Sequence, residues 1–445
     1  MNKSPYYKLF IVFFLLSCEA KKNYPDVIAD INSKSAVEII DATRLGIQKD
    51  GLTDNSALIQ AAIGSNRNLY FPKGKYLVSK FINISGVSNL KISGDPETEF
   101  ITSQNKIFTI SGNITNLEIS GIRFSSVKKD AINDPEGLIF IAAYGANDLM
   151  NGININNCSF SNPNTHANGI KLVSEGINSS VKNISITNNR FENIGRFAVE
   201  FQNHERKILF ARFRDYTISD NYFSNVGTIQ ASPAPSCISV SGYSVNGKIN
   251  NNEIVEMRMN TASDVYYGIE NAGTVGLETI GNKMRATTYG FTGILSSGPT
   301  AAESAVSGQP KIKDWTIRDN VIELTGQSHI DKVRGIELTD VESYIITGNT
   351  ITTKGYAMRL IACKSGKINN NTCKVTSGNV LYFQSGSANN EIRQNILDAS
   401  KGPDHGVVMF NGGTTTGNSA SANTLIKTGG LPGSYVNWDG ASNNF

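Results

Sequence analysis

One loop of the sequence combines a histidine with several cations. Its members are His204, Arg206, Lys207, Arg212 and Arg214, and His204 is one of only four histidines among 445 residues. Removing the proton beside a uronic acid carboxylate requires a base, a cation that neutralises the carboxylate, and a proton donor for the leaving oxygen. We predict His204 as the base and Arg206 or Arg212 as the neutralising cation.

The proton donor and further binding groups are expected near this loop. Hydroxyl groups that could donate the proton or contact the substrate belong to Tyr243, Tyr266 and Tyr267. Lys207 and Arg214 are predicted to bind an acidic substrate, as is His166 in an earlier loop. The alternative interpretation is a solvated charged loop in which His204 is an incidental polar residue.

Charged residues also recur in short apolar phrases that are typical of strands. Because side chains alternate between the two faces of a strand, one outward position can be assigned in each phrase. These outward residues are Lys171, Glu200, Ser239, Glu270, Glu337 and Arg359. Neighbouring strands of a sheet lie about 4.8 Å apart, so we expect the six side chains to form a column.

Two interpretations of this column remain open. Lys171 with Glu200, and Glu337 with Arg359, would be close enough for surface ion pairs, each contributing less than about 1 kcal/mol to stability. Alternatively, Glu200 and Glu270 would lie two strands, or about 9.6 Å, apart. That separation is close to the range of about 6.5–9.5 Å between the acid and the base of inverting glycosidases.

A repeated phrase indicates how these residues are positioned. It consists of an apolar residue, polar residues, an asparagine and another apolar residue, as in Ile186–Phe191 and Ile218–Phe223. The recurring asparagines are Asn189, Asn221, Asn252, Asn282, Asn320, Asn349, Asn371 and Asn395. A period of about 20–40 residues is the signature of a stacked-repeat architecture.

The residues around each asparagine identify the type of repeat. Apolar residues flank it in the two-residue alternation of strands, and a third strand follows in the phrases that carry the column. Three strands per coil predict an all-β parallel β-helix. The asparagines of successive coils would stack into a ladder in which each amide bonds to the next.

The N-terminal residues are typical of an export signal. Lys3 and Lys8 precede an apolar run from residue 9 to residue 16, which is too short to span a bilayer. The run ends at Ser17-Cys18, which resembles a bacterial lipobox, so we expect Cys18 to be lipidated; the alternative is an ordinary signal peptide with a chance cysteine. The predicted organisation is a signal peptide (1–18), a tether (19–38) and one β-helix domain (39–445), attached to the membrane by lipid alone.

The start of the domain carries a second motif. Asp54 is a plausible N-cap for a short amphipathic helix with Leu58, Ile59, Ala62 and Ile63 on one side, which would cover the open first coil. Together with Asp50-Gly-Leu-Thr-Asp54, the phrase Phe71-Pro-x-Gly74-x-Tyr76 closely resembles the N-terminal motif of the pectate-lyase-like superfamily. With the downstream coils, the resemblance extends over nearly the whole domain.

The resemblance implies a right-handed parallel β-helix and a site on the strand that follows the asparagine turn. It does not specify the reaction. Our first hypothesis is an exported polysaccharide lyase that acts on an acidic, uronate-containing glycan by β-elimination. The second is an inverting glycoside hydrolase that uses Glu200 and Glu270, and the third is a non-catalytic glycan-binding surface protein.

The remaining features restrict partners and cofactors. A net charge of +3 gives no general reason to expect a nucleic-acid partner, and we expect a monomer at the outer membrane, periplasmic or at the cell surface. Cysteine spacing predicts no metal site, although Cys363 and Cys373 could form a disulfide. Glu200, Glu205 and Asp215 could supply ligands to Ca²⁺, but their spacing is not diagnostic, so we predict no required cofactor.

Overall fold

The fold repeats one coil of three short strands along a single axis. The computed structural model describes residues 38–129, 136–203, 210–229, 234–257, 264–298, 310–399, 407–427 and 431–445. The part of the chain from Glu38 to Phe445 forms one compact unit. Apart from one antiparallel pair near the C-terminus, all strand pairs of the described residues are parallel.

The described residues form 39 strands. The strands of the first half are β1 (Ile39–Asp41), β2 (Asp50–Asp54), β3 (Arg67–Phe71), β4 (Gly74–Leu77), β5 (Ile82–Ser85), β6 (Ser88–Thr102), β7 (Phe108–Ser111), β8 (Ile114–Ser126), β9 (Gly137–Ala143), β10 (Leu149–Asn156), β11 (Ser159–Asn162), β12 (Asn168–Ser174), β13 (Ser180–Thr187), β14 (Arg190–Ile194), β15 (Val199–Gln202), β16 (Phe213–Ser219), β17 (Tyr222–Val226) and β18 (Ser236–Asn250). Those of the second half are β19 (Glu253–Met257), β20 (Tyr267–Ile280), β21 (Lys283–Ala286), β22 (Thr292–Ser296), β23 (Lys313–Arg318), β24 (Val321–Leu324), β25 (Arg334–Thr339), β26 (Glu342–Thr347), β27 (Thr350–Thr353), β28 (Tyr356–Ile361), β29 (Lys367–Asn369), β30 (Thr372–Val375), β31 (Leu381–Gln384), β32 (Glu391–Arg393), β33 (Ile396–Ala399), β34 (Val408–Asn411), β35 (Thr416–Ser421), β36 (Thr424–Lys427), β37 (Leu431–Pro432), β38 (Tyr435–Trp438) and β39 (Ser442–Asn444).

These strands form three long faces, which we call sheets 1, 2 and 3. Sheet 1 contains β5, β7, β9, β12, β15, the first halves of β18 and β20, β22, β25, β28, β31, β34 and β38. Sheet 2 contains the strand, or part of a strand, that comes next in the chain after each of these. Sheet 3 contains the strand, or part of a strand, that comes after that one. The predicted right-handed parallel β-helix is therefore confirmed, with the handedness that parallel crossover connections favour.

The core is a stack of apolar side chains enclosed by the three sheets. On sheet 3, the rings of Phe124, Phe160, Phe191 and Phe223 stack coil upon coil, with centroids 4.8–5.3 Å apart. Buried isoleucines such as Ile186 line the same interior. Each coil contributes one such layer, which is why the apolar positions keep a constant phase with the asparagines in the sequence.

The predicted asparagine ladder is confirmed at the turn between sheets 2 and 3. The backbone N and Nδ2 of each ladder asparagine donate to Oδ1 of the next, at 2.8–3.1 Å, from Asn189 to Asn423. Each Nδ2 also donates to a carbonyl of the preceding coil, as Asn221 does to Ile186 at 2.9 Å. Buried amides remain fully hydrogen-bonded in this way, as they must away from water.

The residue before each ladder asparagine explains the rest of the phrase. Asn188, Asp220, Asn251 and Asp319 have φ between 54° and 57°, in the left-handed region. Asparagine, aspartate and glycine tolerate this region best. The turn therefore selects the residue before the ladder position as well as the ladder asparagine itself.

Glycines fix the corner at which sheet 1 begins. A Cβ at Gly169, Gly268, Gly293 or Gly335 would lie 2.6–2.7 Å from a backbone carbonyl oxygen of the following coil. No side chain fits at that distance, so the corner favours glycine. Two residues later each strand presents its outward side chain, and the corner thereby fixes the position of that side chain on the face of sheet 1.

The first coil is covered by the predicted helix, α1 (Ser56–Ala62). The N-cap residue is Asn55 and not Asp54 as predicted, although Asp54 Oδ1 accepts a hydrogen bond of 3.0 Å from the backbone N of Ser56; Ile59 and Ala62 are buried against the core. Leu58 was expected on the buried side but is exposed, because seven residues make only two turns and present a narrow apolar stripe. Two 3₁₀ helices, Ala42–Leu45 and Ile330–Lys332, complete the helical elements of the described residues.

The second motif of the N-terminal resemblance is a packed turn. The rings of Phe71 and Tyr76 meet edge to face with centroids 5.3 Å apart, and the Tyr76 hydroxyl donates to the Pro72 carbonyl at 2.7 Å.

Cys158, Cys237, Cys363 and Cys373 are buried free thiols, so Cys363 and Cys373 do not form a disulfide. Among the described residues, no helix has the length and apolar character needed to cross a membrane.

Candidate functional site

The outward column expected from the sequence is present on sheet 1. Strand register places each member beside the next, in the order Lys171, Glu200, Ser239, Glu270, Leu295, Glu337 and Arg359. Leu295 occupies the coil that sequence alternation left ambiguous. Glu270 stands at the centre, two coils from Glu200 on one side and two coils from Glu337 on the other.

Glu200 is the centre of a buried ionic cluster. Its Oε2 lies 2.8 Å from Arg196 Nη1 and 3.2 Å from Lys171 Nζ. It also accepts a hydrogen bond of 2.6 Å from Asn168 Nδ2. All four side chains are buried, so the Lys171–Glu200 pair is not the surface ion pair that one interpretation proposed. Burial lowers the pKa of Lys171, and the Glu200 carboxylate opposes this effect.

Glu337 is the centre of a similar cluster at the other end of the column. Its Oε2 lies 2.7 Å from Arg334 Nε and 3.4 Å from Arg359 Nη1. Arg359 also donates from Nη2 to Gln384 Oε1 at 3.2 Å. Glu337 is nearly buried, whereas about a quarter of the Arg359 side chain, 24%, is exposed to solvent. Each cluster thus pairs one carboxylate with two cations.

Glu270, between the clusters, has a different environment. Its Oε2 accepts from the hydroxyls of Ser239 at 3.0 Å and Ser236 at 3.3 Å, and its Oε1 accepts from Ser297 at 3.1 Å. No ion pair to Glu270 occurs within the described ranges. Burial raises the pKa of the Glu270 carboxyl, against the effect of the three hydroxyls, and Glu200 raises it further. The side chain is nevertheless only partly buried, so it can contact a ligand.

Tyr267 lies on the same strand, three residues before Glu270. Burial raises the pKa of its hydroxyl, as do the neighbouring carboxylates Glu270 and Glu337. The phenol is therefore neutral at physiological pH and retains a proton to donate. The structure places this predicted site residue at the start of β20, within the electrostatic reach of Glu270 and Glu337.

Other members of the predicted set are not brought to the column. Arg212 is buried, and its Nη1 donates to the carbonyl oxygens of Gly176 at 2.7 Å and Ser179 at 2.9 Å. Its guanidinium also lies over the Phe210 ring at 4.5 Å. Among the described contacts, Arg212 thus binds backbone carbonyls, and its role as a substrate-neutralising cation stays a prediction.

Tyr266 and Arg214 also lie elsewhere. Tyr266 is 2% exposed, and its hydroxyl donates to the Gly227 carbonyl at 3.0 Å, so it is a core residue. Arg214 is exposed on sheet 2, in register with Lys182, and not on sheet 1. Tyr243 is partly exposed, and its carbonyl accepts from the backbone N of Arg212 at 3.0 Å. His204, Arg206 and Lys207 fall outside the described residues.

His166 lies in the turn between β11 and β12 and is 2% exposed. Burial lowers the pKa of His166, and Arg196 lowers it further, while Glu200 acts in the opposite direction. The imidazole is therefore neutral at physiological pH and lies within the electrostatic reach of the Glu200 cluster. The sequence grouped it with the substrate-binding residues without indicating this proximity.

The calcium ligands considered from the sequence do not converge. Glu200 is engaged with two cations, while Asp215 lies on sheet 2 and accepts from Asn246 Nδ2 at 2.8 Å. Glu205 falls outside the described residues. Across the described part of the chain, no group of three histidine, cysteine or carboxylate side chains is arranged to hold a metal ion.

Several partners of the column were not predicted from the sequence. Arg196 precedes Glu200 by four residues, and Arg334 precedes Glu337 by three. Ser236 and Ser297 hold Glu270 from neighbouring coils. A basic residue three or four positions before an outward glutamate was a visible signal. Strand alternation does not reveal it, because the chain turns between Arg196 and Glu200, and because Arg334 is an odd number of positions before Glu337 on the same strand.

Comparison with solved structures supports the fold. The A-modules of the Azotobacter vinelandii mannuronan C-5 epimerases AlgE6 and AlgE4 are each 14% identical to this chain, with TM-scores of 0.57 and 0.58. The alignments cover 91% of this chain and 98% and 99% of the modules. PfbA, a surface adhesin of Streptococcus pneumoniae, is 15% identical with a TM-score of 0.53, over 89% of this chain and 94% of that one. At these identities the similarity establishes the fold alone.

No curated protein matches the chain in sequence. A family model does match the chain, and the matched range begins where the first strand begins. Residues 39–278 match the family described as rhamnogalacturonase A/epimerase, pectate lyase-like, and this range includes Lys171, Glu200 and Glu270. Because the match extends over more than half of the chain and agrees with the observed coils, the protein belongs to this pectate-lyase-like family of β-helix proteins.

Proposed function

We propose that the protein cleaves an acidic polysaccharide by β-elimination on sheet 1, with Glu270 as the proton donor. The environment of Glu270 is the observation that supports this role. It is a partly exposed carboxyl whose pKa is raised by burial and which is bound by three hydroxyls. A carboxyl with a raised pKa is what a general acid requires.

The charge of the column supports an acidic substrate. On one side of Glu270, Lys171 and Arg196 together exceed the charge of Glu200 by one, and on the other side Arg334 and Arg359 exceed the charge of Glu337 by one. A glycan that lies along sheet 1 would therefore meet a positive potential on both sides of the acid. Uronate carboxylates are the groups that such a potential attracts.

The proposed step can be written on these residues. A base removes the proton on the carbon beside the uronate carboxylate, and that electron pair forms a carbon–carbon double bond. The bond to the glycosidic oxygen breaks, and the oxygen receives the proton of Glu270. The neutral Tyr267 hydroxyl, close to Glu270, can hydrogen-bond the same oxygen. The base is His204, as predicted from the sequence, and it lies outside the described residues.

A second candidate function is inverting hydrolysis, and it is supported by the spacing that the strand register sets between three glutamates. Glu270 is two coils from Glu200 and two coils from Glu337, or about 9.6 Å in each direction. This is close to the acid–base separation of inverting glycosidases, about 6.5–9.5 Å. Glu270 would again be the acid. Glu200, the base that the sequence suggested, is more buried and more fully paired than that role requires. Glu337 lies at the same spacing from Glu270.

We also propose that the protein is exported and held at the membrane by lipid on Cys18, which lies outside the described residues. The test is the distribution of full-length protein between the membrane and soluble fractions of the producing bacterium. Wild type should partition with membranes and Cys18→Ser should not. Equal partition of the two would refute the anchor.

The function is tested by ultraviolet absorbance during incubation with pectate, alginate, chondroitin, hyaluronan and heparan. β-Elimination creates a conjugated double bond that absorbs, and hydrolysis creates only a new reducing end. We expect absorbance to rise on one substrate, with a rate at least 100-fold lower for Glu270→Gln. The matched control is Glu278→Gln, on the same strand but on the outer face of sheet 2, where the carboxylate lies 4.0 Å from Lys248.

Each other outcome has a definite meaning. Reducing ends without absorbance would establish the hydrolase, and unchanged turnover by Glu270→Gln would remove Glu270 from either mechanism. Binding without any product, on this panel and on neutral glycans, would leave the third hypothesis, a glycan-binding surface protein. The pH profile adds a check, because activity should fall as pH rises through the raised pKa of Glu270.

A further inference from the structure

His166 is the least satisfied buried group near the column. It is 2% exposed, and within the described ranges neither Nδ1 nor Nε2 has a hydrogen-bond partner. A neutral imidazole carries one donor and one acceptor, and buried groups of this kind are nearly always paired. Two hydrogen bonds close the turn that holds His166, since Asn162 Nδ2 donates to the carbonyls of Ala167 and Asn168 at 3.1 Å each.

Arg196 presents a second unsatisfied atom in the adjacent coil. Its Nη1 donates to Glu200 Oε2 at 2.8 Å and to Asn168 Oδ1 at 3.4 Å, and its guanidinium carbon lies 4.1 Å from the centroid of the Phe197 ring. These contacts fix the plane of the guanidinium. Its Nε, which is also buried, has no hydrogen-bond partner among the described residues.

The backbone places the two side chains in stacked turns. The backbone N of Arg196 donates to the Ala167 carbonyl at 3.1 Å, one residue after His166. The next backbone N, of Phe197, donates to Asn168 Oδ1 at 3.1 Å. The effect of the Arg196 charge on the pKa of His166 is consistent with this proximity.

The electrostatics of this corner favour an anion. Lys171 and Arg196 share the single carboxylate of Glu200, so among the ion pairs of the described residues this buried cluster carries one positive charge in excess. An isolated buried charge is costly, and an anionic group that reached it would gain charge-assisted hydrogen bonds. Arg196 Nε and the ring nitrogens of His166 are buried and have no hydrogen-bond partner among the described residues, so they are the donors that such a group would have to reach.

We propose that His166 and Arg196 Nε bind one acidic group of the glycan, and that this group is a uronate carboxylate. The proposal rests on the proposed function for the position of the glycan on sheet 1. It assigns the neutralisation of the substrate carboxylate to Arg196 and His166 and not to Arg212. Because the imidazole is neutral beforehand, carboxylate binding should be accompanied by uptake of a proton onto His166.

The test measures binding without turnover, in the Glu270→Gln protein. The probe is D-glucuronate, with D-glucose as the neutral match and D-glucose 6-sulfate as an alternative anion. The imidazole resonances are followed by NMR, and loss of one resonance in His166→Gln identifies it among the four histidines. The exposed His329 serves as the internal control.

We expect glucuronate to shift the His166 resonance, to raise its pKa and to leave His329 unchanged, while glucose has no effect. His166→Gln and Arg196→Lys should each weaken glucuronate binding at least tenfold, whereas His329→Gln should not. A response to the sulfate sugar alone would overturn the carboxylate assignment. A His166 resonance that responds to no anion would overturn the site and indicate internal hydration only.

A second measurement needs no substitution of His166 or Arg196. Calorimetric titration of the Glu270→Gln protein in two buffers of different ionisation enthalpy should report proton uptake on binding of glucuronate. Arg196 and Glu200 are the charged groups that act on His166, and Glu200→Gln should therefore lower the uptake by lowering the pKa of His166 further. Identical heats in both buffers would refute the protonation. If Glu270→Gln leaves turnover intact while His166 still responds, the proposed acid fails and this inference stands.

Discussion

Arg196 and Glu200 are four residues apart, and Nη1 of the arginine meets Oε2 of the glutamate at 2.8 Å with both side chains buried. The chain turns from sheet 3 into sheet 1 between them. Lys171 reaches the same oxygen atom from the preceding coil at 3.2 Å. One carboxylate therefore holds together two coils and the turn that leads to the site.

This arrangement predicts a large stability loss in Glu200→Gln. Removal of one partner of a buried ion pair leaves the other charge uncompensated, at a cost of about 3–5 kcal/mol in the free energy of unfolding. Denaturant unfolding measures the difference. The control is Glu278→Gln, which removes one half of an exposed pair and should cost no more than about 1 kcal/mol. Equal, small losses would show that the cluster does not stabilise the fold.

Glu270→Gln should stabilise the folded protein relative to wild type, and this difference should grow as pH rises toward the raised pKa of Glu270. The folded-state pKa of Glu270 is raised, so the native state binds more protons than the unfolded state above the ordinary carboxyl value of about 4.3. Wild-type stability therefore falls from that pH up to the raised pKa and then levels off, and glutamine cannot titrate. Melting temperatures measured across pH should diverge in favour of the variant, and parallel curves would contradict the raised pKa.

Asn252→Ala should destabilise the centre of the ladder. Asn252 donates to Ile218 and Asn282 and accepts from the backbone N and Nδ2 of Asn221, all at 2.9–3.1 Å. Alanine leaves buried donors and acceptors unpaired, at about 1–3 kcal/mol for each group. Asn154→Ala, on the outer face of sheet 2, should change stability by less than about 0.5 kcal/mol. Similar denaturation midpoints for both variants would count against a stabilising ladder.

Arg212→Ala should be a stability variant with unaltered chemistry. The buried carbonyls of Gly176 and Ser179 lose a charged donor, which should lower the free energy of unfolding by roughly 2–4 kcal/mol. Turnover per folded molecule should remain within about twofold of wild type, because the side chain does not reach the column. A selective rise in KM with unchanged stability would restore Arg212 as a substrate ligand.

The four described thiols should be unreactive in the native state. Burial raises the pKa of Cys158 and Cys363 to about 12, which suppresses the reactive thiolate. Thiol titration of a Cys18→Ser protein should find no rapid reaction when it is folded and four free thiols after denaturation. Two thiols released only by reductant would indicate the Cys363–Cys373 disulfide.

The fold was predictable because its determinants are local and repeated. The asparagine at each turn, the residue of positive φ before it and the alternation around both recur within six residues, so each coil carries the same information. The column on sheet 1 could be predicted for the same reason. The coil that holds Leu295 shows the limit, since an apolar residue at an outward position leaves the phase undetermined.

The partners of the column were not predictable by the same means. Arg196 and Glu200 are separated by a turn, and neither helical nor strand periodicity describes the path between them. Arg212 was assigned to a loop because it follows several basic residues, whereas it immediately precedes β16 and points to buried carbonyls. Leu58 fits the apolar stripe of α1, but the helix is too short to bury it.

The ladder also has a consequence for how this protein could diversify. Consecutive ladder asparagines are 22 to 38 residues apart in sequence, yet their contacts stay within 2.8–3.1 Å. Loop insertions are thus absorbed within one coil and do not alter the rise to the next. Coils can therefore behave as interchangeable modules, and transplanting a loop from a relative should change which sugar is accepted while the order of side chains on sheet 1 is inherited intact.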